Sequence, residues 1–366
     1  MSRVISIGTA VPQYGTRQST ILEFMIEAYK DVEAARKLKI LFHHSGINTR
    51  YSAVSDFNND LPENKLFSSV ETAPGIEKRI SVFKEKIIPL AVEAIQNSLK
   101  KLNISLINFG ITHLITVTCT GIYAPGMDSS LIEMLDLPRD IFHTSVNFMG
   151  CNAAFHALKL GDMIARNDEN AKVLIVCAEL CTLHFQPKNN HDNLLSNTIF
   201  GDGAAAVIIV SDKKANEDLQ GGMKMDGFYS LILSKGKDLM SWNITPKNFE
   251  MVLDAKVPDL IGAEVNDIVL KAGIKLNINA GQINKWAIHP GGKKILDSIR
   301  KQLSLSDSDL LFSYQILNDY GNMSSPTILF VLNKIMQASD KPGEKIFSIG
   351  FGPGLSIETA LFTYVQ

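Results

Sequence analysis

Hydrophobic positions along this chain alternate between two textures: short continuous apolar runs, and longer segments with apolar residues at helical spacing. The opening run, MSRVISIGTAVP, is broken by Gly8 and Pro12 and reads as a buried first strand. Residues 20–42 carry a helical pattern ending in the basic cluster Arg36, Lys37 and Lys39, and residues 82–102 carry another. HLITVTCTG (113–121) then reads as a strand, a short helix begins at Leu131, and IFHTSVNFMG (141–150) is a second strand. NAAFHALKLGDMIARN (152–167) sets Ala153, Ala154, Ala157, Leu158, Leu160 and Met163 at helical spacing. KVLIVCAEL (172–180) is a continuous apolar run of the kind buried on both faces. FGDGAAAVIIVSD (200–212) is a tight turn leading into another strand.

Past residue 215 the texture changes, and GGMKMDG (221–227) reads as a Gly-rich surface turn. The earlier rhythm then returns. Helices are expected over 261–272, 293–303 and 326–337, with a strand and turn in NKWAIHPGG and a strand, turn and strand in KIFSIGFGPGLSIETALFTYV. Strands alternating with helices predict an α/β fold with largely parallel, helix-covered sheets. Two halves of similar rhythm, 1–215 and 216–366, point to an internal structural duplication without a visible sequence repeat.

Composition narrows the functional classes. The chain has 366 residues, 45% of them hydrophobic, enough for one large or two medium domains with a substantial core. Its 36 Lys+Arg against 38 Asp+Glu form no basic stripe, which sets a nucleic-acid binder aside. No apolar stretch reaches the roughly 18 residues that span a bilayer. The four cysteines, Cys119, Cys151, Cys177 and Cys181, show neither a C-x-x-C pair nor metal-ligand spacing. No metal is expected, and a cytoplasmic protein with reduced thiols fits.

Cys151 is the sharpest chemical feature. It follows Gly150 at a strand end and precedes an Ala-rich helix, where the helix dipole favours a reactive thiolate. The ordinary alternative is a buried inert cysteine. His289, in AIHPGG, ends a strand before a rigid turn that can present its ring to a cleft; a satisfied core or surface histidine is the plainer reading. Asn322, in DYGNMSS, lies in a turn before a helix, where asparagine most often caps. GDGAAA and GFGPG are Gly-rich turns that match neither a P-loop nor a dinucleotide fingerprint. A thiol, an imidazole and an amide in this order also occur in papain-like proteases, and spacing alone leaves that class open. Local context excludes it, because FMGCNAAF in mid-chain is not the protease nucleophile motif.

The stretches IGTAVP, VTCTGIYAPGMD, FMGCNAAFHALKLGDMIA, VLIVCAELCTLHF, FGDGAAAVIIVSD, IHPGG, LNDYGNMSS and GFGPGLSIET resemble the type III polyketide synthases, the chalcone synthase-like enzymes of the thiolase fold. The resemblance spans nearly the whole chain. It implies two duplicated α/β halves layered α-β-α-β-α, a homodimer, and acyl-CoA and malonyl-CoA as substrates with no cofactor. In that family Cys151 would hold the acyl group as a thioester, and His289 and Asn322 would stabilise the thioester oxygen during malonyl decarboxylation. Ketoacyl synthases III share the fold and are the alternative enzyme class; a non-catalytic partner subunit is the alternative outside enzymes.

The resemblance also assigns a substrate pocket. Cys119, Thr120, Cys181, His184 and Ser324 match cavity-lining positions, and Cys119 reads either as a small wall residue or as a second thiol. Phe200 matches the gatekeeper at the cavity mouth; its companion falls on Trp242, with Phe249 as the other choice. Lys37 matches a position that meets CoA phosphates, Ile40 and His44 occupy two more, and Lys39 is a substitute cation. Plant members carry Thr at several pocket positions and a Met where Ala124 stands, so chalcone is not the expected product; an alkylpyrone or alkylresorcinol is.

Overall fold

The computed structural model describes residues 1–58, 65–67, 73–218 and 221–366. Among these, the strands are β1 (Ser2–Ala10), β2 (Tyr14–Arg17), β3 (Thr49–Ser52), β4 (His113–Thr118), β5 (Phe142–Asn147), β6 (Lys172–Leu180) and β7 (Asp202–Ser211). They continue with β8 (Gly222–Ile232), β9 (Met240–Ile244), β10 (Phe249–Leu253), β11 (Lys285–Ile288), β12 (Lys345–Gly352) and β13 (Ser356–Val365). Nine of them form one sheet in the order β11-β12-β13-β8-β1-β7-β6-β4-β5.

That order is a duplication. On one side β4 pairs parallel with β6, and β6–β7 and β7–β1 are antiparallel. On the other β11 pairs parallel with β12, and β12–β13 and β13–β8 are antiparallel. The halves join through three antiparallel pairs, Ser2–Val4 of β1 against Met225–Met223 of β8.

Alternation along the strands sets the layers. In β6, Leu174, Val176 and Ala178 face a core shared with the Ile76–Leu102 helix, whereas Val173, Ile175 and Cys177 face a second core. Gly8 of β1 lies so close to that helix that a Cβ would overlap the Ala94 carbonyl. The second core encloses the Ala153–Asn167 and Thr327–Ala338 helices between the two half-sheets. A third core packs the Val257–Leu276 and Lys293–Gln302 helices on the outer face of the second half. The arrangement is therefore helix, sheet, helix, sheet, helix, as expected. The large sheet, however, is not largely parallel: five of its eight pairings are antiparallel, because adjacent strands such as β12 and β13 are joined by a short turn and not by a crossover helix.

Several elements differ from the pattern reading. The helix expected over 20–42 is two, Gln18–Tyr29 and Val32–His44, because Lys30 is left-handed and the Asp31 carboxylate caps Ala34 N. GGMKMDG is no surface turn but the start of central strand β8: Met223 and Met225 alternate inward with Lys224 and Asp226, and are fully buried. The β9–β10 hairpin and the Leu311–Tyr320 helix are further elements that the pattern did not yield.

Candidate active site

The turn that carries Cys151 is assembled from both halves. After β5, Phe148 and Gly150 take left-handed φ values of 58° and 79°, and a 3-10 turn, Gly150–Asn152, leads into the Ala153–Asn167 helix. A Cβ on Gly150 would overlap the Pro353 ring of the GFGPG turn, and Asn152 Nδ2 donates to Ser356 Oγ at 2.9 Å. The second half thus clamps the turn that carries Cys151.

Asn322 meets that cysteine directly. Its backbone is fixed by Asn322 N donating to Ile199 O and Gly201 N donating to Asn322 O, at 2.9 and 3.0 Å. Its Oδ1 accepts from Ser324 N at 2.8 Å, which leaves Nδ2 3.8 Å from Cys151 Sγ and 3.4 Å from Gly291 O. His289 directly follows β11, two residues before Gly291, with its backbone N–H donating to Ile349 O. Its ring is buried, and neither ring nitrogen has a hydrogen-bond partner among the described residues.

Burial dominates the electrostatics. It pushes the Cys151 thiol up to about 11, against hydrogen bonds from Ser324 and Asn322, and holds His289 down at about 3. Against the helix dipole, desolvation favours the Cys151 thiol, and it favours the neutral His289 ring as well.

Two cavities meet this constellation. The first, about 800 Å³, is lined by Cys151, Cys119, Thr120, Cys181, His184, Phe200, Trp242 and Ser324, together with Phe249, Met25, Phe57 and Phe185. The second, about 870 Å³, runs from Ile40, Leu41 and His44 past Lys293 and Lys294 to Gly291 and Gly292, the turn that adjoins His289 and Asn322. One chamber therefore reaches the thiol, and the other reaches Gly291 and Gly292; His289 and Asn322 line neither.

Known proteins share this design. The description "Chalcone and stilbene synthases, N-terminal domain" fits residues 1–213, and its C-terminal counterpart fits residues 229–366. The chain belongs to this family, the type III polyketide synthases. It is 30% identical to "Probable polyketide synthase 1" of Dictyostelium discoideum over 98% of its own length, which is only 11% of that much longer protein. It is 28% identical to the "Alpha-pyrone synthesis polyketide synthase-like Pks18" of Mycobacterium tuberculosis, covering 98% of this chain and 90% of that one. Among solved structures, the C-terminal type III domain of the Dictyostelium hybrid Steely1 superposes with a TM-score of 0.89 at 29% identity, covering 100% and 99% of the two chains. PKS-I of the brown alga Ectocarpus siliculosus gives 0.92 at 26% identity, covering 100% and 98%.

Within this polyketide synthase the pocket residues expected from sequence converge, with one exception. Cys119 Sγ accepts from Gly150 N at 3.1 Å, beside the nucleophile, and burial holds its thiol well above the usual range. Its backbone N–H and that of Thr120, with the hydroxyls of Thr118, Thr120 and Ser325, donate to the buried carboxylate of Glu179. Glu179 thereby ties β4 and β6 to the turn after Asn322. His184 Nε2 donates to Thr120 O at 2.7 Å, because its Nδ1 accepts from Phe249 N; burial keeps this ring neutral, with a pKa of about 3. Phe249 stacks on the same ring at 4.5 Å, and the Trp242 indole donates to Cys119 O at 2.7 Å. Both candidate gatekeepers line the cavity with Phe200.

Lys37 is the exception. It pairs with Glu33 on the exposed side of the Val32–His44 helix and lines neither cavity, nor does Lys39. The cations at the second cavity are Lys293, paired with Asp297, and Lys294. Sequence reading also missed Arg50 and Ser196, which line the first cavity. An isolated Arg and Ser in polar segments carry no pattern that could have singled them out.

Proposed function

We propose that the chain is an iterative condensing enzyme that extends an acyl-CoA starter with malonyl-CoA. Cys151 gives its proton to His289 and attacks the starter thioester; the tetrahedral oxyanion collapses and CoA leaves as the thiol, having taken up that proton. Malonyl-CoA then enters with its thioester oxygen at His289 and Asn322. Loss of CO2 leaves an enolate on that oxygen, which hydrogen-bond donors there stabilise. The enolate carbon attacks the Cys151 thioester carbonyl, the C–S bond breaks, and the chain, two carbons longer, is carried by CoA and returns to the thiol. The observation that carries this reading is the buried His289 ring, without a hydrogen-bond partner among the described residues, together with an Asn322 amide whose Nδ2 reaches Gly291 O, two residues on from His289, and lies 3.8 Å from Cys151 Sγ.

The second cavity suits the CoA arm, with Lys293 and Lys294 at its rim for phosphate. Aliphatic and aromatic walls (Met25, Phe57, Phe185, Met240 and Phe249) suit a fatty starter, and a relative is named for alpha-pyrone synthesis. An alkylpyrone or alkylresorcinol is accordingly the product class we assign. None of these steps calls for a cofactor. All four cysteines are free and no described helix is long and apolar enough to cross a membrane, which supports a place in a reducing cytoplasm.

The open edge of β5, which among the described residues pairs only with β4 and exposes Phe142, supports a homodimer.

The test is incubation with malonyl-CoA and acyl-CoAs from acetyl to long-chain, with products read by mass spectrometry. Multi-ketide pyrones or resorcinols are expected from the wild type and none from Cys151→Ala. Full condensation by that variant sinks the reading. Condensation only with malonyl carrier protein selects a ketoacyl synthase III instead.

A further inference from the structure

Arg50 is a buried cation with no ion pair among the described residues; it feels Asp202 electrostatically and lies 5.7 Å from the centre of the Phe42 ring. It is 5% exposed, and Nε donates to the neutral amide oxygen of Gln18 at 2.8 Å. Its Nη1 donates to two backbone carbonyls, Asn197 O at 2.8 Å and Phe200 O at 2.6 Å. The remaining nitrogen, Nη2, is buried with no partner among the described residues. No carboxylate forms an ion pair with this guanidinium among those residues. The nearest one in the electrostatics, Asp202, instead accepts from Ala53 N, Thr182 N and Thr182 Oγ1. An isolated buried charge is costly, so a site that keeps one is built for something that arrives later.

What arrives does so through the reaction chamber. Arg50 lines the same cavity as Cys151, and so does Ser196, whose hydroxyl is likewise buried and unpartnered. Both flank Phe200, and Phe200 itself is bridged to Asn322. The rest of the chamber is mainly aliphatic and aromatic, so these two groups form its one pole of unused donors among the described lining residues.

We propose that Arg50 Nη2 and Ser196 Oγ form a subsite for an anionic oxygen of the acyl chain carried on Cys151. Two sources share that chemistry: an enolised β-keto oxygen of the growing chain, or a distal carboxylate on the starter. A guanidinium edge with a neighbouring hydroxyl suits either. Gripping a β-keto oxygen holds the extended chain in the chamber for another round; gripping a starter carboxylate selects ω-carboxyacyl thioesters over plain acyl thioesters of equal length.

The inference rests on the condensing activity proposed above, and the test separates the two. Wild type, Arg50→Lys and Ser196→Ala are compared with hexanoyl-CoA and with adipyl-CoA, each with malonyl-CoA. Products are resolved by mass spectrometry and folding is checked by thermal melting. The Ser196 hydroxyl makes no hydrogen bond among the described residues, so Ser196→Ala reads the subsite even where Arg50→Lys unfolds. A drop of about tenfold in the ratio of longer to shorter ketides from hexanoyl-CoA assigns the subsite to the growing chain. A drop of about tenfold in the adipyl-to-hexanoyl ratio of kcat/KM assigns it to the starter. An active wild type with both ratios within twofold in the folded variants overturns the subsite. A wild type that makes no ketide from any thioester overturns the condensing activity, and the subsite with it.

Discussion

At the scale of single residues, burial keeps two of the site histidines uncharged. His289 and His184 are both buried, and both rest at about pKa 3 because desolvation disfavours their cations. In the unfolded chain each titrates near 6.5. The native state therefore binds fewer protons than the unfolded state between pH 6.5 and 3, and stability is lost as pH falls through that window. Two such groups give a slope of up to about 2.7 kcal/mol per pH unit in its lower part. The expected outcome is a denaturant midpoint that is flat from pH 8 to 7 and falls steadily below 6. His184→Asn, which removes one of the two, should flatten the fall; an unchanged slope in that variant counts against the neutral buried pair. The same environment acts on Cys151. Reading the sequence offered both a favourable dipole and a buried thiol, and could not weigh them, because the degree of burial depends on chain segments far away in sequence.

Elements place these residues by close approach, which is where sequence reading succeeded and failed in informative ways. The strand–turn–helix around Cys151 was legible because a long apolar run, a glycine and an Ala-rich helix occur in succession. GFGPG was visible as a turn, yet its role was not, since only the fold sets Pro353 against Gly150. β8 was lost because its inward positions are Met223 and Met225, too few and too closely flanked by glycines to register as a strand. Lys37 matches a family position near the end of the early helix; it stands outside both cavities and pairs with Glu33 one turn away. The Gly150–Pro353 contact gives the prediction at this scale. Gly150→Ala puts a side chain at φ 79° and into the proline ring, costing about 1–3 kcal/mol for the backbone alone. A lower melting temperature and a condensation rate reduced at least tenfold are expected. A variant with wild-type melting and wild-type rate removes the clamp from the mechanism.

At the scale of the whole molecule, the site exists only where the two halves meet. Cys151 comes from the first half and His289 and Asn322 from the second, while the halves share just three backbone pairs between β1 and β8. The shared middle core of the Ala153–Asn167 and Thr327–Ala338 helices is what holds the junction. One edge of the joined sheet is β5, which has β4 on one side and no described strand on the other. Such an edge invites pairing with another chain unless charge or a bulge blocks it, and Phe142 leaves it apolar where it begins. An antiparallel contact between two β5 edges is self-complementary, as a two-fold dimer requires. It would also brace Phe148–Gly150, the turn that follows β5 directly and carries the nucleophile. The wild type should therefore sediment at twice the 40.3 kDa chain mass. Phe142→Lys sets a charge on the edge strand, and should shift the protein toward monomer and lower condensation in step with dissociation. Two outcomes separate the claims: a dimeric Phe142→Lys moves the interface away from β5, and a fully active monomer shows that each chain supports its nucleophile turn unaided.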